Sequence, residues 1–234
     1  MDARTPINHL SLCAGIGGID LGLRAVVEGC RTIAYVEIEA FAVAHLVTQM
    51  EAGGLDAAPV FTDLHQFEWE RFAGLVDIVS GGFPCQPFSH AGKREGVEDP
   101  RHLWPTIARG LAVVQPACVF FENVDGIASA KSPGYHSVLH HVLSDLEALG
   151  FRATAGCFTA PEVGAPHLRK RWFILGIRHA NDDGEPDRTE HAEAPRLPGD
   201  LVDATSDEHQ RNAGVSTRKD GSSSAGGQAN RRDE

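Results

Sequence analysis

Hydrophobic and polar positions alternate along the first 178 residues in segments that predict strands and helices in turn. The short run Leu10-Ser11-Leu12-Cys13 predicts a strand that leads into a glycine-rich turn. Apolar residues then recur at helical spacing and predict a helix with one packed face, made of Ile16, Ile19, Leu23, Val26, Val27 and Cys30. The β-rich run from Thr32 to Val36 predicts a second strand, which ends at Glu37.

The same alternation continues to residue 178. Further helices are predicted with apolar faces at Ile38, Phe41, Ala42, His45 and Leu46, at Leu103, Ile107, Leu111 and Val114, and at Val138, Leu139, Val142, Leu143, Leu146 and Leu149. Further strands are predicted at 60–61, 75–79, 117–121, 151–158 and 172–177. The 117–121 run is continuously apolar, which is typical of a parallel strand buried on both faces. Repeated strand–helix units predict an α/β fold with a doubly wound, mostly parallel sheet, in which ligands bind at the carboxyl ends of the strands.

The pattern stops near residue 178. Residues 179–234 contain 13 acidic and 7 basic residues, no aromatic residue, and only four large apolar ones, Leu197, Leu201, Val202 and Val215. Such a segment buries too little apolar surface to offset its ordering entropy. We therefore expect a folded domain at 1–178 and, at 179–234, a disordered tail or the start of a recognition region.

Composition excludes several classes of protein. No apolar run approaches the roughly 18 residues that span a bilayer, and the five cysteines lack zinc-site spacing. From these two observations we expect no membrane contact and no metal. An odd cysteine count without a visible secretion signal predicts reduced thiols in a cytoplasm. The net charge of −11 argues against a protein that coats nucleic acid through a generally basic surface, but it permits a local basic site. Residues 179–234 account for −6 of this net charge, so the remainder of the chain is only mildly acidic.

The first glycine turn is a candidate cofactor loop. Gly15, Gly17 and Gly18 lie between a predicted strand and helix, and Glu37 follows at the end of the next strand, where a carboxylate can hold ribose hydroxyls. The dinucleotide motif is incomplete because Asp20 occupies its third glycine position, so a plain turn is an equal alternative. Asp63, after a third strand, is a candidate acceptor for an adenine amino group, although taken alone an aspartate here is more typical of a helix N-cap or a turn.

A more specific segment follows the strand at 75–79. It runs from Gly81 to Ser89, with prolines on both sides of Cys85 and Gln86. Prolines restrain the backbone there, and a cysteine in a loop at the carboxyl end of a strand is well placed to be a nucleophile. The remaining cysteines lie in or beside apolar elements, which favours structural roles.

Two polar groups complete the candidate site. Glu122 ends a buried strand, where desolvation would raise its pKa and suit it to acid–base chemistry. The segment His167 to Arg171 is basic, and alternation would point Arg169 and Arg171 the same way. That segment is either a solvated basic turn or a contact for phosphate or cytosine.

Together these residues resemble the DNA cytosine-5 methyltransferases of bacteria and phages. The resemblance runs from about residue 9 to residue 178 and rests on the glycine loop, Glu37, Asp63, the 83–89 segment, Glu122-Asn123-Val124 and the 167–171 segment. It implies a Rossmann-like fold, S-adenosylmethionine as cofactor, double-stranded DNA as substrate and, by association, restriction-modification.

The resemblance also implies roles. Cys85 resembles the nucleophile that attacks carbon 6 of cytosine, Glu122 the residue that hydrogen-bonds ring N3, and Arg171, with Arg169, the support of the base site. Gln86 and Ser89 resemble DNA contacts, and Lys93 and Arg94 add local basic charge for DNA. Implied cofactor contacts are Cys13, Gly15, Ile16, Gly18, Glu37, Ile38, Asp63, Leu64, Gly82, Pro84 and Leu103.

The sequence departs from the family in three places. Ser11 stands where aspartate is common, and His167 where glutamine is usual. A target-recognition region and a final cofactor segment are not visible after residue 178, so we expect a second subunit or further polypeptide to supply them. A binding remnant without turnover and a tRNA cytosine methyltransferase remain alternatives.

Overall fold

The computed structural model describes residues 6–84 and 103–179, which form a seven-stranded sheet flanked by helices. The strands are β1 (Ile7–Leu12), β2 (Cys30–Val36), β3 (Val60–Phe61), β4 (Ile78–Gly81), β5 (Cys118–Val124), β6 (Phe151–Thr159) and β7 (Lys170–Arg178). The helices are α1 (Gly18–Val26), α2 (Ala40–Glu51), α3 (Trp104–Val114) and α4 (Val138–Ala148), with short 3-10 helices at Trp69–Phe72, Asp125–Ala128 and Ala160–Val163.

The strand order is β3-β2-β1-β4-β5-β7-β6. Strands β1 to β5 pair in parallel, whereas β7 runs antiparallel to both of its neighbours. This arrangement confirms the predicted mostly parallel α/β sheet. It also places the carboxyl ends of β1, β2, β4 and β5 along one edge, as parallel pairing requires.

One face of the sheet carries the main hydrophobic core. Alternate strand residues such as Leu10, Val79 and Phe121 are fully buried there. They lie in one cluster with Ile107 of α3 and Val142 of α4, which are also fully buried. The strong helical periodicity of these two segments is thus explained by packing against the sheet.

The predicted packed face of α1 is only partly correct, because Ile19, Leu23 and Val27 are half-buried while Ile16 is exposed. Asp20 is the buried residue of this helix, Val26 is 80% exposed, and Cys30 belongs to β2. The physical reason is that the buried side chains on this face of β1 and β4 include His9, Ser11 and Ser80, so the residue of α1 that is buried against them is the polar Asp20.

Other boundaries and faces also differ from prediction. Helix α2 begins at Ala40 and buries Ala42 and Leu46, leaving Phe41 82% exposed. Strand β4 begins at Ile78, and β5 alternates in burial instead of being covered on both faces, because α3 and α4 cover only its core side.

Within the described ranges, no helix is long and apolar enough to cross a membrane. No group of three or more His, Cys, Asp or Glu side chains in that part of the chain is arranged to hold a metal ion.

Candidate active site

The ends of four strands meet at the carboxyl edge of the sheet. The loop after β1 contacts Glu37 after β2, because the Gly15 N–H donates to Glu37 Oε2 at 2.7 Å. The end of β4 meets β5 at Gly82, where a Cβ atom would lie 3.3 Å from Glu122 Oε2 and 3.9 Å from the Cys13 carbonyl oxygen. The glycine loop, the acidic residue of β5 and the start of the cysteine segment therefore share one site.

The glycine loop needs its glycines for two reasons. Gly15 and Gly17 have φ values of 54° and 83°, in the region that side chains disfavour. At Gly17 a Cβ would also lie 2.7 Å from Leu55 Cδ1, so this glycine is fixed by packing as well. Cys13 shares the left-handed conformation, with φ 46°. The loop is a strained, closely packed turn next to an acidic residue, and not an open flexible one.

Glu37 is buried, with 7% of its surface exposed, and its carboxylate orders the surrounding backbone. Besides the Gly15 bond, its Oε1 accepts the Glu39 N–H at 2.8 Å. Its sequence neighbour Ile38 is 72% exposed, and Ile16 in the glycine loop is 56% exposed. A buried carboxylate beside exposed apolar side chains and a glycine turn fits the ribose and base of S-adenosylmethionine.

The remaining predicted cofactor residues occupy varied environments. Asp63 lies in a turn, where it accepts the His65 N–H at 2.8 Å and the Gln66 amide at 2.6 Å; these bonds lower its pKa. Leu64 is buried in the core and Leu103 packs against it. Gly18 begins α1, and Pro84 is exposed at the end of the described segment. The turn alternative for Asp63 is thus realised, while its contact with adenine stays a prediction.

Burial also affects two cysteines, Cys13 in the glycine loop and Cys118 at the start of β5, the end of that strand away from the site. Desolvation, with the charge of Glu37, raises the pKa of Cys13 to about 12. Desolvation raises the pKa of Cys118 to about 11. Both thiols therefore stay protonated near neutral pH and are poor nucleophiles.

Glu122 pairs with the basic segment. Arg171 Nε lies 2.6 Å from Glu122 Oε1, and Arg169 Nη2 lies 3.8 Å from the same oxygen. The Arg171 side chain is 24% exposed and that of Arg169 is 59% exposed, so Arg171 is the closer and better shielded partner. Both arginines reach one carboxylate oxygen, which leaves Glu122 Oε2 facing Gly82.

Sequence reasoning gave no role to Asn123, which the structure places at the centre of this edge. Its side chain is buried and donates to the Phe83 carbonyl oxygen at 2.8 Å. Phe83 in turn packs against Trp104 and Phe121, with ring centroids 5.5 Å and 5.7 Å apart. The residue anchors the chain just before Cys85. The signal for it is a polar residue at a strand position that alternation directs into the core.

Five predicted site residues lie outside the described part of the chain. They are the nucleophile and the four DNA contacts: Cys85, Gln86, Ser89, Lys93 and Arg94. Their roles rest on the resemblance and on the position of Gly82 and Pro84 immediately before them.

A glycine loop after the first parallel strand and an acidic residue after the second, within a seven-stranded sheet with one reversed strand, define the class: a Rossmann-like S-adenosylmethionine-dependent methyltransferase. The comparison with known families is more specific. The model of the C-5 cytosine-specific DNA methylases matches residues 7–225, and the chain belongs to this family.

Curated relatives are type II methyltransferases. The chain is 29% identical over 193 residues to M.NgoMIV of Neisseria gonorrhoeae, covering 82% of this chain and 59% of that protein. It is 33% identical over 174 residues to M.HgiBI of Herpetosiphon aurantiacus, covering 74% of this chain and 38% of that protein. The chain thus spans roughly two fifths to three fifths of these relatives.

Solved structures agree on the fold. The crystal structure of the Schizosaccharomyces pombe (S. pombe) Dnmt2 methyltransferase superposes with a TM-score of 0.60 at 20% identity, covering 82% of this chain and 58% of that one.

Proposed function

We propose that this chain transfers a methyl group to carbon 5 of cytosine in DNA. The observation that carries the proposal is the placement of Glu122. One of its oxygens is held by Arg171, and the other faces Gly82, three residues before Cys85. A cytosine ring at this edge would meet an acidic group on one side and the cysteine segment on the other.

Each residue of the proposed site has a separate role in the methyl transfer. The Cys85 thiolate attacks carbon 6 of the ring and forms a covalent bond. Glu122 donates a hydrogen bond or proton to ring N3, which stabilises the negative charge that develops there. Arg171 and Arg169 hold the carboxyl group in place. S-adenosylmethionine, when bound against the glycine loop and Glu37, supplies the methyl group. Loss of the carbon 5 proton to solvent and release of Cys85 restore the base.

DNA as the substrate and a cytoplasmic location belong to the proposal. The target base has to leave the duplex, at a cost of roughly a few kcal/mol. Arg169, Lys170 and Arg171 are basic and partly or largely exposed beside Glu122, where a phosphate contact fits. Because the chain spans only part of its relatives, we propose that sequence recognition is supplied by further polypeptide, on the same chain or on a second subunit.

A methyl-transfer assay tests the proposal. The chain, alone and with a polypeptide covering the rest of the relatives' length, is incubated with labelled S-adenosylmethionine and either duplex DNA or tRNA. We expect label at cytosine carbon 5 of DNA, and Glu122→Gln to reduce the rate by ~100-fold or more, as for loss of a general acid. Glu147→Gln, on the exposed side of α4, is the matched control.

A second readout traps the covalent step. A DNA substrate whose target cytosine carries fluorine at carbon 5 has no proton to lose at that carbon. Cys85 should then remain bonded to the DNA, and the mass of the protein should increase by that of the bound DNA. Label in tRNA alone would instead favour an RNA substrate. Cofactor binding without transfer to either nucleic acid, under both conditions, would favour a binding remnant.

A further inference from the structure

A buried polar network lies between α1 and the sheet, away from the reacting groups. At its centre is Asp20, which is 3% exposed. Its Oδ2 accepts a hydrogen bond from the Ser11 hydroxyl at 2.9 Å, and its Oδ1 accepts one from the Thr32 hydroxyl at 3.1 Å. Asp20 lies in the first turn of α1, where the helix dipole favours a negative charge.

The network continues across the sheet through His9. Its Nδ1 lies 2.9 Å from Thr32 Oγ1, and its Nε2 lies 2.7 Å from Ser80 Oγ. Because the Thr32 hydroxyl gives its hydrogen to Asp20, it accepts from His9 Nδ1, and His9 Nε2 then accepts from Ser80. Every donor therefore points towards Asp20, which is bonded directly to β1 and β2 and is linked to β4 through Thr32 and His9.

The position of this network along the chain gives it a consequence for the site. Ser11 is near the end of β1 and Asp20 is near the start of α1, so their hydrogen bond closes the segment 12–19 that contains the glycine loop. The loop backbone in turn contacts Glu37 through Gly15. A change in the Ser11–Asp20 distance would shift the loop against that carboxylate.

We propose that the Ser11–Asp20 hydrogen bond is a clamp that sets the shape of the glycine loop and thereby the affinity for S-adenosylmethionine. Asp20 is a positioning residue, which acts through the loop without contacting the cofactor. The inference rests on the proposed function, since it takes this loop as the cofactor site.

The clamp accounts for two departures in the sequence. Asp20 occupies the third glycine position of a dinucleotide motif because a carboxylate is needed there to close the loop. Ser11 replaces the common aspartate because a second carboxylate at that position would face Asp20 across a hydrogen-bond distance, in a site that desolvation already makes unfavourable for one charge, as the raised pKa of Asp20 shows.

Calorimetric titration of the full chain with S-adenosylmethionine tests the clamp. Ser11→Ala should raise Kd by ~10-fold, the scale for a lost hydrogen bond to a charged group. Ser137→Ala is the matched control: it also removes a buried serine hydroxyl, the N-cap of α4 that accepts the His140 N–H, and should lower the melting temperature without changing Kd.

Moving the negative charge from position 20 to position 11 provides a second test of the clamp. Ser11→Asp should weaken binding more than Ser11→Ala, and the added Asp20→Asn change should restore Kd to within about threefold of wild type, because an amide at position 20 can donate to the new carboxylate. In turnover, Ser11→Ala should raise KM for S-adenosylmethionine and leave kcat unchanged.

The outcomes separate the two proposals. A wild-type chain that binds, with Kd unchanged in Ser11→Ala or raised equally in Ser137→Ala, overturns the clamp alone. The clamp is also overturned if the variant with both Ser11→Asp and Asp20→Asn binds S-adenosylmethionine no better than Ser11→Asp alone. If Ser11→Asp does not fold, the comparison of Ser11→Ala with Ser137→Ala still decides. A wild-type chain that does not bind S-adenosylmethionine overturns the cofactor assignment, and the clamp with it.

Discussion

At the scale of single residues, the carboxyl edge leaves little room between the groups that it assembles. Gly82 separates the glycine loop from Glu122, and a Cβ there would contact Glu122 Oε2 on one side and approach the Cys13 carbonyl oxygen on the other. The glycine is therefore required by the close approach of Glu122, since its φ carries no constraint of its own.

Gly82→Ala is expected to slow methyl transfer by ~10-fold or more with little loss of stability. The added methyl group would push Glu122 Oε2 by a few tenths of an ångström, and catalytic groups displaced by that order lose much of their effect. Steady-state kinetics and thermal unfolding measure the two effects. Gly126→Ala is the control, because its Cβ would approach only Val124 Cγ2, at 4.0 Å. Equal rates in both variants would contradict this reading of Gly82.

The residue scale also shows what sequence reasoning can reach. Alternation alone predicts that Arg169 and Arg171 point the same way, and the structure brings both to Glu122. The Ser11–Asp20 bond cannot be found that way, because it joins a strand to a helix through two polar side chains. Periodicity counts apolar residues, so it is silent about polar groups that are buried together.

At the scale of elements, prediction succeeds where a helix packs on an apolar surface. The apolar stripes of α3 and α4 are buried in the core, as their spacing predicts. Helix α1 has equally regular apolar spacing but covers polar side chains, so its stripe is at most half-buried and Asp20 is its buried residue. Which side of a helix is buried depends on the surface beneath it, and that surface is fixed by strand pairing distant in sequence.

Helix α3 depends on one close approach. A Cβ added at Gly110 would lie 2.3 Å from Trp69 Cδ2, so α3 and the 3-10 helix at Trp69–Phe72 meet at this glycine. Gly110→Ala should lower the free energy of unfolding by about 1–3 kcal/mol, since overpacking outweighs the gain in helix propensity of about 1 kcal/mol.

Gly22→Ala in α1 is the matched control for that change. Nothing lies within 4 Å of its added Cβ, so it should stabilise the chain by about 0.5–1 kcal/mol. Urea unfolding of both variants measures the pair. An unchanged or increased stability of Gly110→Ala would show that α3 can shift away from Trp69.

At the scale of the whole molecule, the buried network couples stability to pH. Desolvation lowers the pKa of His9 from 6.5 to about 4, against a smaller opposing effect of the Asp56 charge. In the unfolded chain the imidazole returns to its ordinary value. Between these two values the unfolded chain binds a proton that the folded chain does not, so the folded state loses stability as pH falls from about 6.5 to about 4.

The free energy of unfolding should accordingly drop by about 2 kcal/mol between pH 7 and pH 5 on account of His9, and change little from this group above pH 7. Asp20, 3.5 Å from His9 Nδ1, acts in the opposite direction, because its raised pKa lets the folded state gain stability on protonation.

His9→Asn isolates the imidazole, since every other titrating group is common to both proteins. Urea unfolding at the two pH values should give a shallower pH dependence for the variant. Equal dependence in both proteins would mean that folding does not lower the pKa of His9, so that the imidazole is protonated in the folded chain at pH 5. Both ring nitrogens of His9 would then donate, one to Thr32 and the other to Ser80. The hydrogen bond between His9 and Ser80 would therefore run from the imidazole to the hydroxyl, opposite to the direction given above.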